Sequence, residues 1–60
     1  SKNGIIYVKL IENKYIKIYN TAGQLLKSVQ GTEGINEVQI PYPKGIYYVK
    51  IGDETNPVIL

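Results

Sequence analysis

Ile16 and Ile18 alternate with Tyr15, Lys17 and Tyr19, and this strict period of two constrains the chain more than any other feature. Successive side chains of a β-strand point to opposite faces, so the alternation divides an apolar face from a wetter one. Asn20-Thr21-Ala22-Gly23 then breaks the pattern with turn formers. Gly23 is the residue there that reaches φ > 0 without a steric cost. The same grammar recurs on either side. Residues 5–11 place Ile6, Val8 and Leu10 on one face and Ile5, Tyr7, Lys9 and Ile11 on the other, with Lys9 marking the second face as outward. Residues 35–40 set Val38 and Ile40 against Glu37 and Gln39. Residues 46–51 set Tyr47, Val49 and Ile51 against Ile46, Tyr48 and Lys50.

The connecting segments are short and polar. Glu12-Asn13-Lys14 reads as a hairpin turn into the Tyr15 strand, and Gly31-Thr32-Glu33-Gly34 as a second turn. Pro41-Tyr42-Pro43-Lys44-Gly45 reads as a crossing loop, because two prolines remove the donors a central strand needs. Residues 52–57, with Asp53-Glu54-Thr55-Asn56, read as a polar turn before a short closing strand at residues 58–60. Residues 24–30 fit two patterns. Leu25, Leu26 and Val29 match a helical i, i+1, i+4 stripe as well as a strand. Strand is preferred, because a helix under two turns long between glycines is marginal. Together these segments predict an all-β domain of about six strands, a small antiparallel sandwich or barrel. The expected core is Ile6, Val8, Leu10, Ile16, Ile18, Leu26, Val38, Ile40, Tyr47, Val49, Ile51 and Ile59.

Composition then narrows function. Sixty residues make a single domain, 1–60, or part of a larger protein. With no histidine and no cysteine, neither a Ser-His-Asp nor a Cys-His arrangement can be built, and neither a disulfide nor a zinc site can staple the fold. Glu12, Glu33, Glu37, Asp53 and Glu54 lie in polar surroundings and read as solvated charges. Asp53-Glu54-Thr55-Asn56 lacks calcium-loop spacing, and Gly31-Thr32-Glu33-Gly34 lacks a phosphate-binding fingerprint. The expectation is therefore a non-enzymatic chain with no catalytic residue, metal or cofactor. A net charge of +2 is too small to imply nucleic acid as a partner. No apolar run approaches the length of a membrane span. No signal peptide opens the chain, so an exported version would be a mature or C-terminal piece. One outward surface stands out: Tyr15, Lys17, Tyr19, Tyr48 and Lys50, with Tyr7 and Lys9, combine rings and cations that can stack on a glycan or contact a protein. Tyrosine and lysine are also ordinary residues of a solvated sheet.

Two segments carry a family resemblance. Ile16-Lys17-Ile18-Tyr19-Asn20-Thr21-Ala22-Gly23-Gln24-Leu25-Leu26-Lys27 and Pro43-Lys44-Gly45-Ile46-Tyr47-Tyr48-Val49-Lys50-Ile51 resemble, in order and spacing, stretches of the C-terminal sorting domains of the type IX (Por) secretion system. The resemblance implies an immunoglobulin-like β-sandwich at the C-terminus of an exported bacterial protein, secreted or held at the cell surface. It also implies the outer-membrane secretion machinery as partner. In that frame Gly23 permits the hairpin turn and Gly45 lets the chain leave the proline loop. Tyr47 puts its ring in the core and its hydroxyl on loop backbone, as in a tyrosine corner. Family members usually open on an Asn-Pro strand and close on a Lys-rich one. This chain opens Ser1-Lys2-Asn3-Gly4 and closes Asn56-Pro57-Val58-Ile59-Leu60, which also fits a shortened relative acting as a structural cap.

Overall fold

The alternating segments all form strands. The computed structural model describes residues 4–60, so the polar start at residues 1–3 lies outside the described residues. The strands are β1 (Ile5–Leu10), β2 (Lys14–Tyr19), β3 (Leu25–Gly31), β4 (Gly34–Gln39), β5 (Ile46–Ile51) and β6 (Glu54–Ile59), and no helix occurs among the described residues. All pairings are antiparallel. They make two sheets, one of β1-β4 and one in the order β3-β2-β5-β6.

The apolar faces of both sheets meet in one core of Ile6, Leu10, Val38 and Ile40 against Ile16, Ile18, Tyr47 and Val49. Ile16 and Ile18 are fully buried. Burying an isoleucine side chain contributes about 1.5–3 kcal/mol, so the central alternation of β2 is the strongest local contribution to the fold. Val8, Leu26 and Ile51 pack against this core partly buried, as do Val29, Tyr42, Val58 and Leu60.

Three expectations need correction. Glu12-Asn13-Lys14 does not close a hairpin: β1 pairs with β4, not β2, and the segment between β1 and β2 crosses between sheets. Both β1 and β2 carry an apolar face, and putting them in opposite layers lets each cover the other. The crossing is clipped by Asn13, whose Oδ1 accepts the Glu33 N–H at 3.0 Å.

The strand preferred over a helix at residues 24–30 is present as β3, with an irregularity. Its ladder with β2 shifts register between Ile18 and Tyr19, so that Ile18 faces Lys27 and Tyr19 faces Leu25. Leu26 is the extra residue of this bulge. An extra residue reverses the alternation locally. Leu26 and Val29, three residues apart, therefore both pack on the core while Leu25 stays exposed. The helix-like spacing is the signature of a bulged strand.

The second correction concerns β6. It begins at Glu54 and runs through Pro57, where a turn was expected. The Leu60 N–H donates to the Gly45 carbonyl at 2.9 Å, which phases the β5–β6 ladder. Residues 58 and 56 turn their hydrogen-bonding groups toward β5, and Pro57, opposite Tyr48, turns its nitrogen to the open edge. An edge strand tolerates proline there because no ladder donor is lost.

The third follows from the same register. Val58 faces Tyr47 on the core side, so Ile59 sits outward opposite Ile46 and is 74% exposed. Val58 and Leu60 take the core role assigned to Ile59.

Candidate functional site

The outward face of the four-stranded sheet gathers the five predicted face residues. Lys17 stands directly opposite Lys50, and Tyr19 opposite Tyr48, across the β2–β5 ladder. Tyr15 lies on the same face of β2, beside Lys17. Tyr7 and Lys9 are on β1 in the other sheet and do not join this surface. A shallow groove of about 320 Å³ is lined by Lys14, Tyr15, Lys17, Lys50 and Gly52. Like charges directly opposite one another disfavour a sheet. The ion pair found among the described residues, Lys14 with Glu12 at 3.9 Å, leaves Lys17 and Lys50 without a carboxylate. The face can therefore offer positive charge beside tyrosine rings. Toward the other end it turns apolar, where Leu25 faces Tyr19 and Pro57 faces Tyr48.

The motif residues have separate structural tasks. Gly23 has φ +83° in the β2–β3 turn. Its N–H donates to the Asn20 carbonyl at 3.1 Å, while Asn20 Oδ1 accepts the N–H groups of Ala22 at 2.9 Å and Gln24 at 3.0 Å. Tyr47 is buried, and its hydroxyl donates to the Pro43 carbonyl. Gly45 is not among the positive-φ glycines, and a Cβ there would meet nothing within 4 Å. Its part in the structure is played by its carbonyl, which accepts from Leu60.

The two motif segments meet at one end of the sandwich. The turn at residues 20–24 follows the end of β2, and the loop at residues 40–45 precedes the start of β5; Tyr19 and Tyr48 are paired at that end. Tyr42 in the loop donates its hydroxyl to the carbonyl of Leu26, the bulge residue, at 2.9 Å. Its ring lies 6.1 Å from that of Tyr47. Lys27 Nζ donates to the Gln39 carbonyl at 2.7 Å, joining β3 to the end of β4.

Sequence reasoning missed Tyr42, Gly31 and Asn36. An aromatic residue between two prolines is a readable sign of an ordered loop. Gly31 is buried, and a Cβ there would stand 2.5 Å from Leu10 Cδ1 and 2.8 Å from the Lys14 carbonyl oxygen. Asn36 Nδ2 donates to the carbonyls of Thr32 at 2.8 Å and Val8 at 3.2 Å, and its Oδ1 accepts the Thr32 N–H at 2.9 Å. No local pattern distinguishes these two from turn and strand residues of the same type.

Chemical inventory adds little. Glu12, Glu33, Glu37, Asp53 and Glu54 are all exposed. Among the described residues no group of acidic, histidine or cysteine side chains could hold a metal ion. No described helix is long and apolar enough to cross a membrane.

A family profile described as the secretion system C-terminal sorting domain matches residues 2–59. The match takes in both terminal segments as well as the two motif stretches. No curated protein and no solved structure matches the chain.

Proposed function

The chain belongs to the secretion system C-terminal sorting domain family, and from that premise we propose that it is the part of an exported bacterial protein that the type IX machinery recognises. Domains of this family mark proteins for export across the outer membrane, to the surface or the medium. The module acts by being bound, not by catalysis, and residues 1–60 serve as the C-terminal unit of a larger protein. We read the two facing sheets as an immunoglobulin-like sandwich. The observation that carries the reading is the profile match over nearly the whole chain. The motif segments supply the surface: the Asn20–Gln24 turn and the proline loop, whose Tyr42 is bonded to Leu26 of β3, present one end of the sandwich to the machinery.

Residues 1–60 fused behind a periplasm-targeted reporter, in a host with the type IX system, test this. The reporter is expected outside the cell. Retention in the periplasm with the module folded overturns the sorting role and leaves a structural cap.

A second reading rests on Lys17 and Lys50, opposed without a carboxylate. On it, the tyrosine–lysine face binds an acidic glycan or protein. Titration with oligosaccharides should then shift the amide signals of Tyr15, Lys17, Tyr48 and Lys50 together. No shift across a broad glycan panel removes the glycan half of that reading.

A further inference from the structure

The two sheets are unequal, two strands against four, and the mismatch leaves one flank open. On the β3 flank the sandwich is closed by Tyr42 of the proline loop, bonded to Leu26, and by Lys27, which reaches across to Gln39 at the end of β4. On the β6 flank a groove of about 520 Å³ runs between β1 and the larger sheet. Val8 and Tyr7 wall it, and Val49, Ile51, Asn56 and Val58 line the other side.

Among the described residues, no strand pairs with the edge above this groove. The Ile40 N–H donates to the Gly4 carbonyl at 2.6 Å, which phases the β1–β4 ladder. In an antiparallel pair the residues that exchange hydrogen bonds alternate with those that do not. Ile6, Val8 and Leu10 therefore turn their N–H and C=O groups to β4. Ile5, Tyr7 and Lys9 turn theirs away, to the open side. The phasing agrees with Gln39, whose carbonyl points off the far edge of β4 and is taken by Lys27. The other edges carry devices that discourage pairing: a bulge in β3, Pro57 in β6 and Lys27 across the edge of β4. β1 carries none of these beyond the side chain of Lys9.

We propose that the β1 edge and the groove beneath it form an acceptor site for one extended strand of another protein. The site is independent of the sorting end. The incoming strand alternates apolar side chains, seated on Val58 and Ile51, with polar ones facing outward. It carries a carboxylate opposite Lys9, the one charged residue among the described residues lining the groove. Charge also argues against a second copy as the occupant. β1 contains no acidic residue, so β1 paired with itself leaves Lys9 uncompensated.

The test is titration of the isotope-labelled 60-residue chain with an end-blocked heptapeptide alternating valine with threonine and one central glutamate. Shifts and slowed amide exchange are expected at Ile5, Tyr7 and Lys9. Tyr7→Pro removes one outward N–H and none of the β4 ladder, and should weaken binding roughly tenfold, the scale of one hydrogen bond. Tyr7→Thr keeps the outward N–H and should bind more tightly than Tyr7→Pro. Asn56→Trp fills the groove from an exposed position and should block the peptide even if Tyr7→Pro does not fold. A lysine-for-glutamate peptide should bind more weakly, with the difference shrinking in salt. Shifts centred on β3 or β6, no shift at millimolar peptide, or unchanged binding by Asn56→Trp would overturn the proposal. So would self-association through β1 without peptide.

Discussion

At the residue scale, Tyr47 and Tyr48 are neighbours with opposite fates. Tyr47 is buried with its hydroxyl on Pro43, while Tyr48 faces outward and is 37% exposed. Tyr47→Phe leaves the Pro43 carbonyl without that donor and should cost about 1 kcal/mol. Tyr47→Ala opens a cavity and should cost roughly 3–5 kcal/mol, against under about 1 kcal/mol for Tyr48→Ala. Urea unfolding ranks the three, and a larger loss for Tyr48→Ala would reverse the assigned facing of β5. The glycines make a parallel contrast. Gly31→Ala should destabilise by over about 1 kcal/mol, because the new Cβ meets backbone at Lys14 and cannot relax by rotamer change. Gly45→Ala, into open space, should change stability little. The facing of Tyr47 was legible because alternation is local. The need for glycine at 31 was not, because the atoms that crowd it come from β1 and β2, distant in the chain.

At the element scale, the strands were legible and their partners were not. A period-2 run declares which residues share a face, but three polar residues such as Glu12-Asn13-Lys14 serve a hairpin or a crossing equally. The choice was made by packing, since β1 and β2 each need the other's apolar face as cover. The bulge in β3 and the proline in β6 were hidden for a related reason: each depends on ladder phase, which belongs to a pair of strands. That phase predicts amide exchange. In β1 the N–H groups of Ile6, Val8 and Leu10 should exchange slowly and those of Ile5, Tyr7 and Lys9 quickly. The inverse alternation would move the open edge to the other residues and remove the basis of the strand-acceptor site. Asn36 offers a second test. Asn36→Ala leaves the Thr32 N–H without its acceptor at 2.9 Å and frees the β3–β4 turn, for a cost of about 1–3 kcal/mol in urea unfolding. Asn56→Ala, exposed, should cost little.

At the scale of the whole molecule, the question is whether two sheets of unequal size unfold as one. A two-stranded sheet is marginal alone in water. The β1-β4 sheet is therefore stable only while Ile6, Leu10, Val38 and Ile40 rest on Ile16 and Ile18 of the larger sheet. No disulfide supports it. Typical stability of about 0.05–0.15 kcal/mol per residue gives this chain roughly 3–9 kcal/mol in total. Ile18→Ala, at a fully buried position, should remove about 2–5 kcal/mol of that and leave the domain largely unfolded near the lower figure. The milder Val38→Ala should lower the urea midpoint read from Tyr19 on β2 as much as the midpoint read from Tyr7 on β1. Coincident midpoints follow from a single core shared by both layers. If the Tyr7 signal is lost in a separate, earlier transition, the smaller sheet is an independent flap, and the core residues assigned to it contribute to local order alone.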